Sequence, residues 1–203
     1  MRSIPMKQFF FLLLCSVLAG CLSDDKKDYS GAVNYQMGLQ AEQAGDLPGA
    51  QQFYAKAQKD AKGGNLGPAK EAHATFALAR INGYLGKYAE AEKGFNETFS
   101  LIGAAEGEAN ALLVPALFEY ALMLHDTGQH AKAVPIYRRA FEGLEKMGVS
   151  QIAPLAYASF LDDYAESLKA AGFASLATET AKKAALVREK NPGAQKYSVR
   201  RYK

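Results

Sequence analysis

The segment DTGQHAKAVPIYRRA, residues 126–140, shows a pattern that occurs four times in this chain of 203 residues. The other three copies are QAGDLPGAQQFYAKA (43–57), YLGKYAEAEKGFNET (84–98) and AAGFASLATETAKKA (170–184). The third residue of every copy is a glycine, at Gly45, Gly86, Gly128 and Gly172, which gives spacings of 41, 42 and 44 residues. A period of this length is typical of repeat proteins, in which one supersecondary unit recurs along the chain.

Each copy also carries small or aromatic residues at fixed distances from its glycine. These positions are a small residue seven before it (Gly38, Ala79, Ala121, Ala165), an alanine five after it (Ala50, Ala91, Ala133, Ala177), an aromatic four later in three copies (Tyr54, Phe95, Tyr137, with Ala181 in the fourth), and a small residue three beyond that (Ala57, Thr98, Ala140, Ala184). Glycine allows a tight turn, small residues let two helices approach closely, and the aromatic fills the space between them. The pattern therefore predicts four helix–turn–helix units.

This spacing of small and aromatic residues resembles the tetratricopeptide repeat. The period is similar to the longer variant of roughly 42 residues that occurs in kinesin light chains and many bacterial proteins. The resemblance implies an all-α solenoid over residues 31–191, with repeats at about 31–64, 72–105, 114–147 and 158–191. The extra residues are expected to extend helices or turns between repeats. The alternative is a generic helical bundle with alanine-rich interfaces.

The N-terminus has the features of a secretory signal peptide. Arg2 and Lys7 precede an apolar run of 11 residues, Phe9–Ala19, which is shorter than the roughly 20 residues of a membrane-spanning helix. The sequence predicts a signal peptide over residues 1–20, whether translation starts at Met1 or Met6.

The end of this signal, Leu18-Ala19-Gly20-Cys21, resembles the lipobox of bacterial lipoproteins. The resemblance implies that Cys21 becomes the lipidated first residue of the mature chain, followed by a polar tether over residues 21–30. Leu22-Ser23 lacks the aspartate associated with inner-membrane retention. We therefore expect a lipid-anchored protein of the bacterial cell envelope, in the outer membrane on its periplasmic side if the host is Gram-negative. A plain secretory signal is the alternative.

Charge is distributed unevenly along the chain. Of the 24 Lys and Arg residues and 21 Asp and Glu residues, eight basic residues but only Glu189 lie within residues 182–203. The basic tail, residues 192–203, ends in AQKYSVRRYK and contains both Arg201 and Tyr202. We interpret it as a solvated end or as a segment that touches a membrane surface, the cell wall or an acidic partner. The sequence contains no nucleic-acid-binding motif, and we expect no nucleic acid partner.

The resemblance also implies where a partner would bind, because the first helix of each repeat lines the concave groove of the solenoid. The residues at the family's groove positions are Tyr35, Gln36, Leu39, Glu42, His73, Phe76, Arg80, Tyr84, Phe118, Glu119, Leu122, His125, Asp126, Asp162, Asp163 and Glu166. Apolar anchors beside a few charges suit an extended or helical peptide. Several of the aromatics could instead pack between repeats. The groove becomes more acidic towards the fourth repeat, which favours a ligand with basic character there.

No catalytic or cofactor motif is present in the sequence. GxSxG, paired-His zinc and GxxxxGK[ST] signatures are missing. Asp162 and Asp163 are adjacent, so on a helix their side chains diverge by about 100°. His125, Asp126 and His130 lack a recognised metal spacing. We predict no enzyme, no cofactor and no metal.

Together these features predict a membrane-anchored scaffold or adaptor that binds a protein or peptide partner in the cell envelope. A pilotin-like assembly factor for a secretin or pilus is the alternative. Self-association through exposed repeat ends and an undetected enzyme are two further hypotheses.

Overall fold

The computed structural model describes residues 29–64, 67–105, 109–193 and 199–202. Within these ranges the chain forms nine helices and no strand, which confirms the predicted all-α fold. The predicted signal peptide, Cys21 and residues 21–28 of the predicted tether lie outside the described residues. None of the described helices is both long and apolar enough to span a bilayer.

The helices follow one another as antiparallel pairs. Their bounds are α1 Tyr29–Gln43, α2 Leu47–Gly63, α3 Pro68–Tyr84, α4 Tyr88–Ala104, α5 Ala109–Asp126, α6 His130–Lys146, α7 Val149–Ile152, α8 Pro154–Ala170 and α9 Ala174–Glu189. Each predicted repeat corresponds to one pair, whose first helix starts a few residues earlier than the pattern alone indicates. The extra residues before the fourth repeat form the short helix α7.

All four predicted turns have the same geometry. Gly45, Gly86, Gly128 and Gly172 have φ values of 81°, 75°, 74° and 88°, a left-handed conformation that L side chains rarely adopt. The amide after each glycine bonds back to a carbonyl five residues earlier, as Gln129 N–H does to Leu124 O at 2.7 Å. This arrangement is the Schellman C-cap, and it explains why the glycine spacing predicts the architecture.

Small residues bring the two helices of a pair together. A Cβ on Gly38 would lie 2.6 Å from the ring of Tyr54, and one on Gly94 would lie 2.7 Å from the Ala79 Cβ. Tyr54 is fully buried in this gap. The predicted small positions and aromatics of repeats 1 to 3 therefore form the interface between helices. The helices pack closely there because the small residues lack side-chain atoms that would clash with the facing helix.

The core runs through the repeats as two adjoining clusters. The smaller joins repeats 1 and 2 around Tyr54 and Ile81, and the larger extends over repeats 2 to 4 around Phe95 and Tyr137. Ala181, the exception to the aromatic pattern, is exposed on α9. The larger cluster also includes Tyr202, from the end of the sequence.

Candidate functional site

The first helices of successive repeats, α1, α3, α5 and α8, carry all the predicted groove residues. In a solenoid of stacked helix pairs this set of helices forms the inner face. Five of the predicted residues are instead buried in the core: Tyr35, Leu39, Phe76, Phe118 and Leu122. All five pack between helices. For the aromatics Tyr35, Phe76 and Phe118, this is the alternative that the sequence left open.

The polar residues of the inner face form two groups. In the first, Glu42 accepts hydrogen bonds from Tyr54 Oη at 3.0 Å and from Arg80 Nη2 at 2.7 Å. Arg80 also lies near the rings of Phe76 and Tyr84. Because the Arg80 guanidinium is mostly buried and already paired with Glu42, this group joins repeats 1 and 2 and leaves no open cationic site there.

The second group contains carboxylates from two consecutive repeats. Glu119 and Asp126 come from α5, and Asp163 comes from α8. Burial raises the pKa of Glu119, although Arg80 and two tyrosine hydroxyls oppose the shift. Burial also raises the pKa of Asp163, against the opposing effect of Arg201. Carboxylates with raised pKa values are costly to keep charged, and a bound cation or donor stabilises their charged form.

The end of the sequence lies against these carboxylates. We call residues 199–202 the docked segment. Its Arg201 donates from Nη1 to both oxygens of Asp163, at 2.9 and 2.8 Å, and from Nη2 to Asp126 Oδ1 at 2.5 Å. One guanidinium therefore joins α5 to α8. Charge-assisted bonds of this kind are among the stronger hydrogen bonds in proteins.

Tyr202 makes the deepest contact of the docked segment, with only 3% of its surface exposed. Its hydroxyl donates to Glu119 Oε2 at 2.6 Å, and its amide N–H donates to Asp126 Oδ2 at 2.8 Å. Its ring stacks on Tyr84 with centroids 4.4 Å apart and planes 20° apart. Burying a side chain of this size stabilises by about 1.5–3 kcal/mol, and a stacked ring pair adds about 0.5–1.5 kcal/mol.

The slot that receives the Tyr202 ring exists because α3 has a glycine at position 83. A Cβ on Gly83 would lie 2.5 Å from Tyr202 Cε1. Tyr84 Oη also donates to Glu119 Oε2, at 3.1 Å, so both tyrosine hydroxyls share one carboxylate oxygen. Burial and the neighbouring carboxylate raise the pKa of Tyr202, which keeps its hydroxyl a donor.

The two other residues of the docked segment make weaker contacts. The Arg200 guanidinium lies 5.4 Å from the centre of the Tyr84 ring, and Val199 packs against the core. The interpretation as a solvated end does not hold for Arg201 and Tyr202, because they bind the chain's own carboxylates, whereas Arg200 is exposed. The sequence indicated an acidic groove and a basic tail separately. No local pattern indicated that the tail binds in the groove.

The remaining predicted residues lie outside the contacts of the docked segment. Asp162 diverges from Asp163 and pairs with Arg188 on α9. Glu166 and Gln36 are exposed, and His73 is partly buried. No set of three or more ligating side chains with a geometry for a metal ion occurs among the described residues.

His125 is buried beside the carboxylates of the second group. Its Nδ1 lies 2.9 Å from Ser167 Oγ on α8, and its Nε2 lies 3.7 Å from Asp163 and 3.9 Å from Asp126. His125 therefore joins α5 to α8 underneath the site that Arg201 occupies. The contact of His125 with a partner stays a prediction.

The fold is similar to that of solved tetratricopeptide-like repeat proteins. BtubC (BKLC) from P. vanneervenii superposes with a TM-score of 0.73 at 19% sequence identity, over 96% of this chain and 78% of that one. A putative kinesin light chain from P. anserina with nearly identical TPR-like repeats superposes with a TM-score of 0.63 at 15% identity, over 93% of this chain and 89% of that one. No protein-family model and no curated protein matches the sequence.

These similarities define the fold of the chain as a TPR-like α-solenoid, of the kind found in kinesin light chains. The predicted repeat class is therefore confirmed at the level of fold. Identities below 20% do not transfer a partner or an activity, and fold alone does not determine function. The residues of the inner face are the basis for proposing a function.

Proposed function

We propose that this protein is a membrane-anchored scaffold of the bacterial cell envelope that binds a peptide or protein partner on the inner face of its solenoid. The carrying observation is the arrangement of Tyr84, Glu119, Asp126 and Asp163, which hold a non-helical segment of the chain through backbone and side-chain contacts. TPR-like folds are typically scaffolds rather than enzymes, which supports the binding role.

The envelope location rests on the signal peptide and on the resemblance of residues 18–21 to a lipobox. Two or more acyl chains give stable membrane attachment, because each buried CH₂ contributes about 0.8 kcal/mol. A diacylated Cys21 would hold the solenoid at the membrane surface through residues 21–28. Pilotin-like assembly of a secretin or pilus would be one specific form of this function, and the identity of the partner decides it.

The anchor is tested with the substitution Cys21→Ser. Metabolic labelling with a fatty acid should mark the wild-type chain but not the variant, and the variant should leave the membrane fraction. Ser16→Ala, in the same signal peptide, is the matched control and should keep both the label and the membrane location. Fatty-acid labelling of the Cys21→Ser chain would contradict the lipoprotein assignment.

The binding face is tested by photo-cross-linking in intact cells of the source organism. A photoreactive amino acid replaces Glu166, which is exposed on α8 of the inner face, or Glu142, which is exposed on α6. We expect one discrete protein adduct from position 166 that is absent from position 142, and mass spectrometry identifies the partner. Adducts of equal yield from both positions, or from position 142 alone, would contradict binding on the inner face.

A further inference from the structure

The docked segment has the contacts of a bound peptide ligand. Its two consecutive residues Arg201 and Tyr202 are recognised by different groups of the inner face, and a backbone N–H is recognised as well. The segment is not part of a helix. The contacts therefore depend on carboxylate side chains of the solenoid.

The electrostatics of the inner face require a cation at this position. Asp126 and Asp163 share the guanidinium of Arg201, whereas Glu119 interacts with Arg80, which also pairs with Glu42. In the described part of the chain, Arg201 is the cation that pairs with both Asp126 and Asp163. If the docked segment left, Asp126 and Asp163 would lose this guanidinium and Glu119 would lose the Tyr202 hydroxyl, so the emptied site would attract a ligand that offers a cation and a hydroxyl donor.

We propose that Tyr84, Glu119, Asp126 and Asp163 form a receptor for an Arg–Tyr pair in a basic peptide of a protein partner, and that the docked segment is a built-in competitor that the partner displaces. The proposal rests on the proposed function, whose binding face it specifies. It commits to a protein partner with this dipeptide chemistry rather than to a lipid surface.

The geometry selects arginine and tyrosine over similar residues. The guanidinium binds Asp163 with one nitrogen and Asp126 with the other, whereas a lysine ammonium has a single nitrogen for both carboxylates. Phenylalanine would fill the slot over Gly83 but could not donate to Glu119. A buried carboxylate would then lose a hydrogen bond, and losses of this kind discriminate strongly between ligands.

Tethering makes the docked segment an effective competitor. A ligand that belongs to the same chain as its receptor has an effective local concentration of the order of millimolar. If the same peptide binds an open site with a dissociation constant of about 10–100 μM, the tether weakens its apparent affinity about 10- to 100-fold. A partner would then need a tighter motif, several motifs or a high local concentration at the membrane.

The test uses the full chain in detergent and a fluorescent peptide with the sequence of residues 194–203. The released chain carries Arg201→Ala and Tyr202→Ala, and thermal unfolding by circular dichroism confirms that it is folded. Fluorescence anisotropy should show at least 10-fold tighter binding to the released chain than to wild type. A second chain with Arg201→Glu alone repeats the comparison in case the loss of Tyr202 destabilises the solenoid.

Two controls define the site. A peptide with Arg201→Lys and Tyr202→Phe keeps the charge and the ring, and it should bind the released chain at least 10-fold more weakly. Adding Gly83→Ala to the released chain should abolish binding, because the new Cβ occupies the ring slot. Gly103→Ala, at an open helical position, is the matched glycine control and should leave binding unchanged.

The outcomes separate the inference from the proposed function. If the folded released chain binds neither peptide, or binds both equally, the Arg–Tyr receptor is wrong. A partner adduct from position 166 would still support an inner-face scaffold in that case. Conversely, selective peptide binding without any inner-face adduct in cells would support the receptor and contradict the proposed cellular role.

Discussion

Glu119 carries a large part of the electrostatics of this molecule, because it lies where three polar side chains meet. It accepts from Tyr84 and Tyr202 and interacts with Arg80. Burial nevertheless raises its pKa above the usual 4.5. The charged form of Glu119 is thus less stable in the folded chain than in the unfolded chain. The Tyr84 and Tyr202 hydroxyls donate hydrogen bonds to it there.

The raised pKa of Glu119 predicts a pH dependence of stability. A carboxyl whose folded pKa is raised binds more protons in the folded state, so its stabilising contribution is full below about pH 4.5 and declines as pH rises through the folded pKa. In urea unfolding at pH 5 and pH 8, wild type should lose stability relative to Glu119→Gln at the higher pH. A difference between the two proteins that is the same at both pH values would contradict this.

The size of the side chain at position 38 is limited by the close approach of α1 and α2. Gly38→Ala places a Cβ 2.6 Å from the Tyr54 ring, and such overpacking costs about 1–3 kcal/mol, offset by up to about 1 kcal/mol of helix propensity. We expect a net loss of unfolding free energy in urea titrations. Gly103→Ala, with nothing within 4 Å, serves as the control and should be neutral or stabilising. Equal stability of the two variants would show that Tyr54 can move aside.

At the scale of elements, the docked segment acts as a bridge between α3, α5 and α8. Arg201 pairs with Asp126 on α5 and with Asp163 on α8, and Tyr202 stacks on Tyr84 of α3. Three repeats are thus connected by one short piece of chain. The contacts of the segment described above lie in repeats 2 to 4, so its coupling to repeat 1 should be small.

This bridge predicts a pattern of hydrogen exchange. Releasing the segment with Arg201→Ala and Tyr202→Ala should speed exchange in α8 and α5, because local opening becomes easier where contacts are lost. Exchange in α1 and α2 should stay the same, which provides an internal control within each sample. Mass spectrometry of peptic peptides measures both regions. Unchanged protection of α8 would mean that the segment is not bound in solution.

The sequence predicts the elements better than it predicts the contacts between them. The glycine at each turn determines a local backbone conformation, so Gly128 and its equivalents reveal the helix pairs directly. The short helix α7 was expected only as an extension of helices or turns. Phe118 and Leu122 occupy groove positions in the pattern but face the core, because burial depends on how the repeats stack, which residue type at one position does not specify.

At the scale of the whole molecule, the solenoid combines two adjoining core clusters with an acidic site that binds residues 199–202 of the same chain. Arg201 lies 75 residues from Asp126 along the sequence. No local motif encodes such a pairing, although the opposite charges of the groove and the tail indicate that it is favourable. The acidic part of the groove was predictable from Glu119, Asp126 and Asp163, whereas its occupant was not.

The central claim is that the inner face recognises an arginine followed by a tyrosine, and a double-mutant cycle across the interface tests it most directly. The released chain, with and without Asp163→Asn, is titrated with the peptide of residues 194–203 and with the same peptide carrying Arg201→Ala. Four dissociation constants give the coupling free energy between Asp163 and Arg201.

If the peptide binds as the docked segment does, Asp163→Asn should weaken the native peptide strongly and the Arg201→Ala peptide little. We expect a coupling free energy of about 1–3 kcal/mol, as for charge-assisted hydrogen bonds. Equal weakening of both peptides by Asp163→Asn would give a coupling of zero. That result would contradict the recognition of arginine by this site.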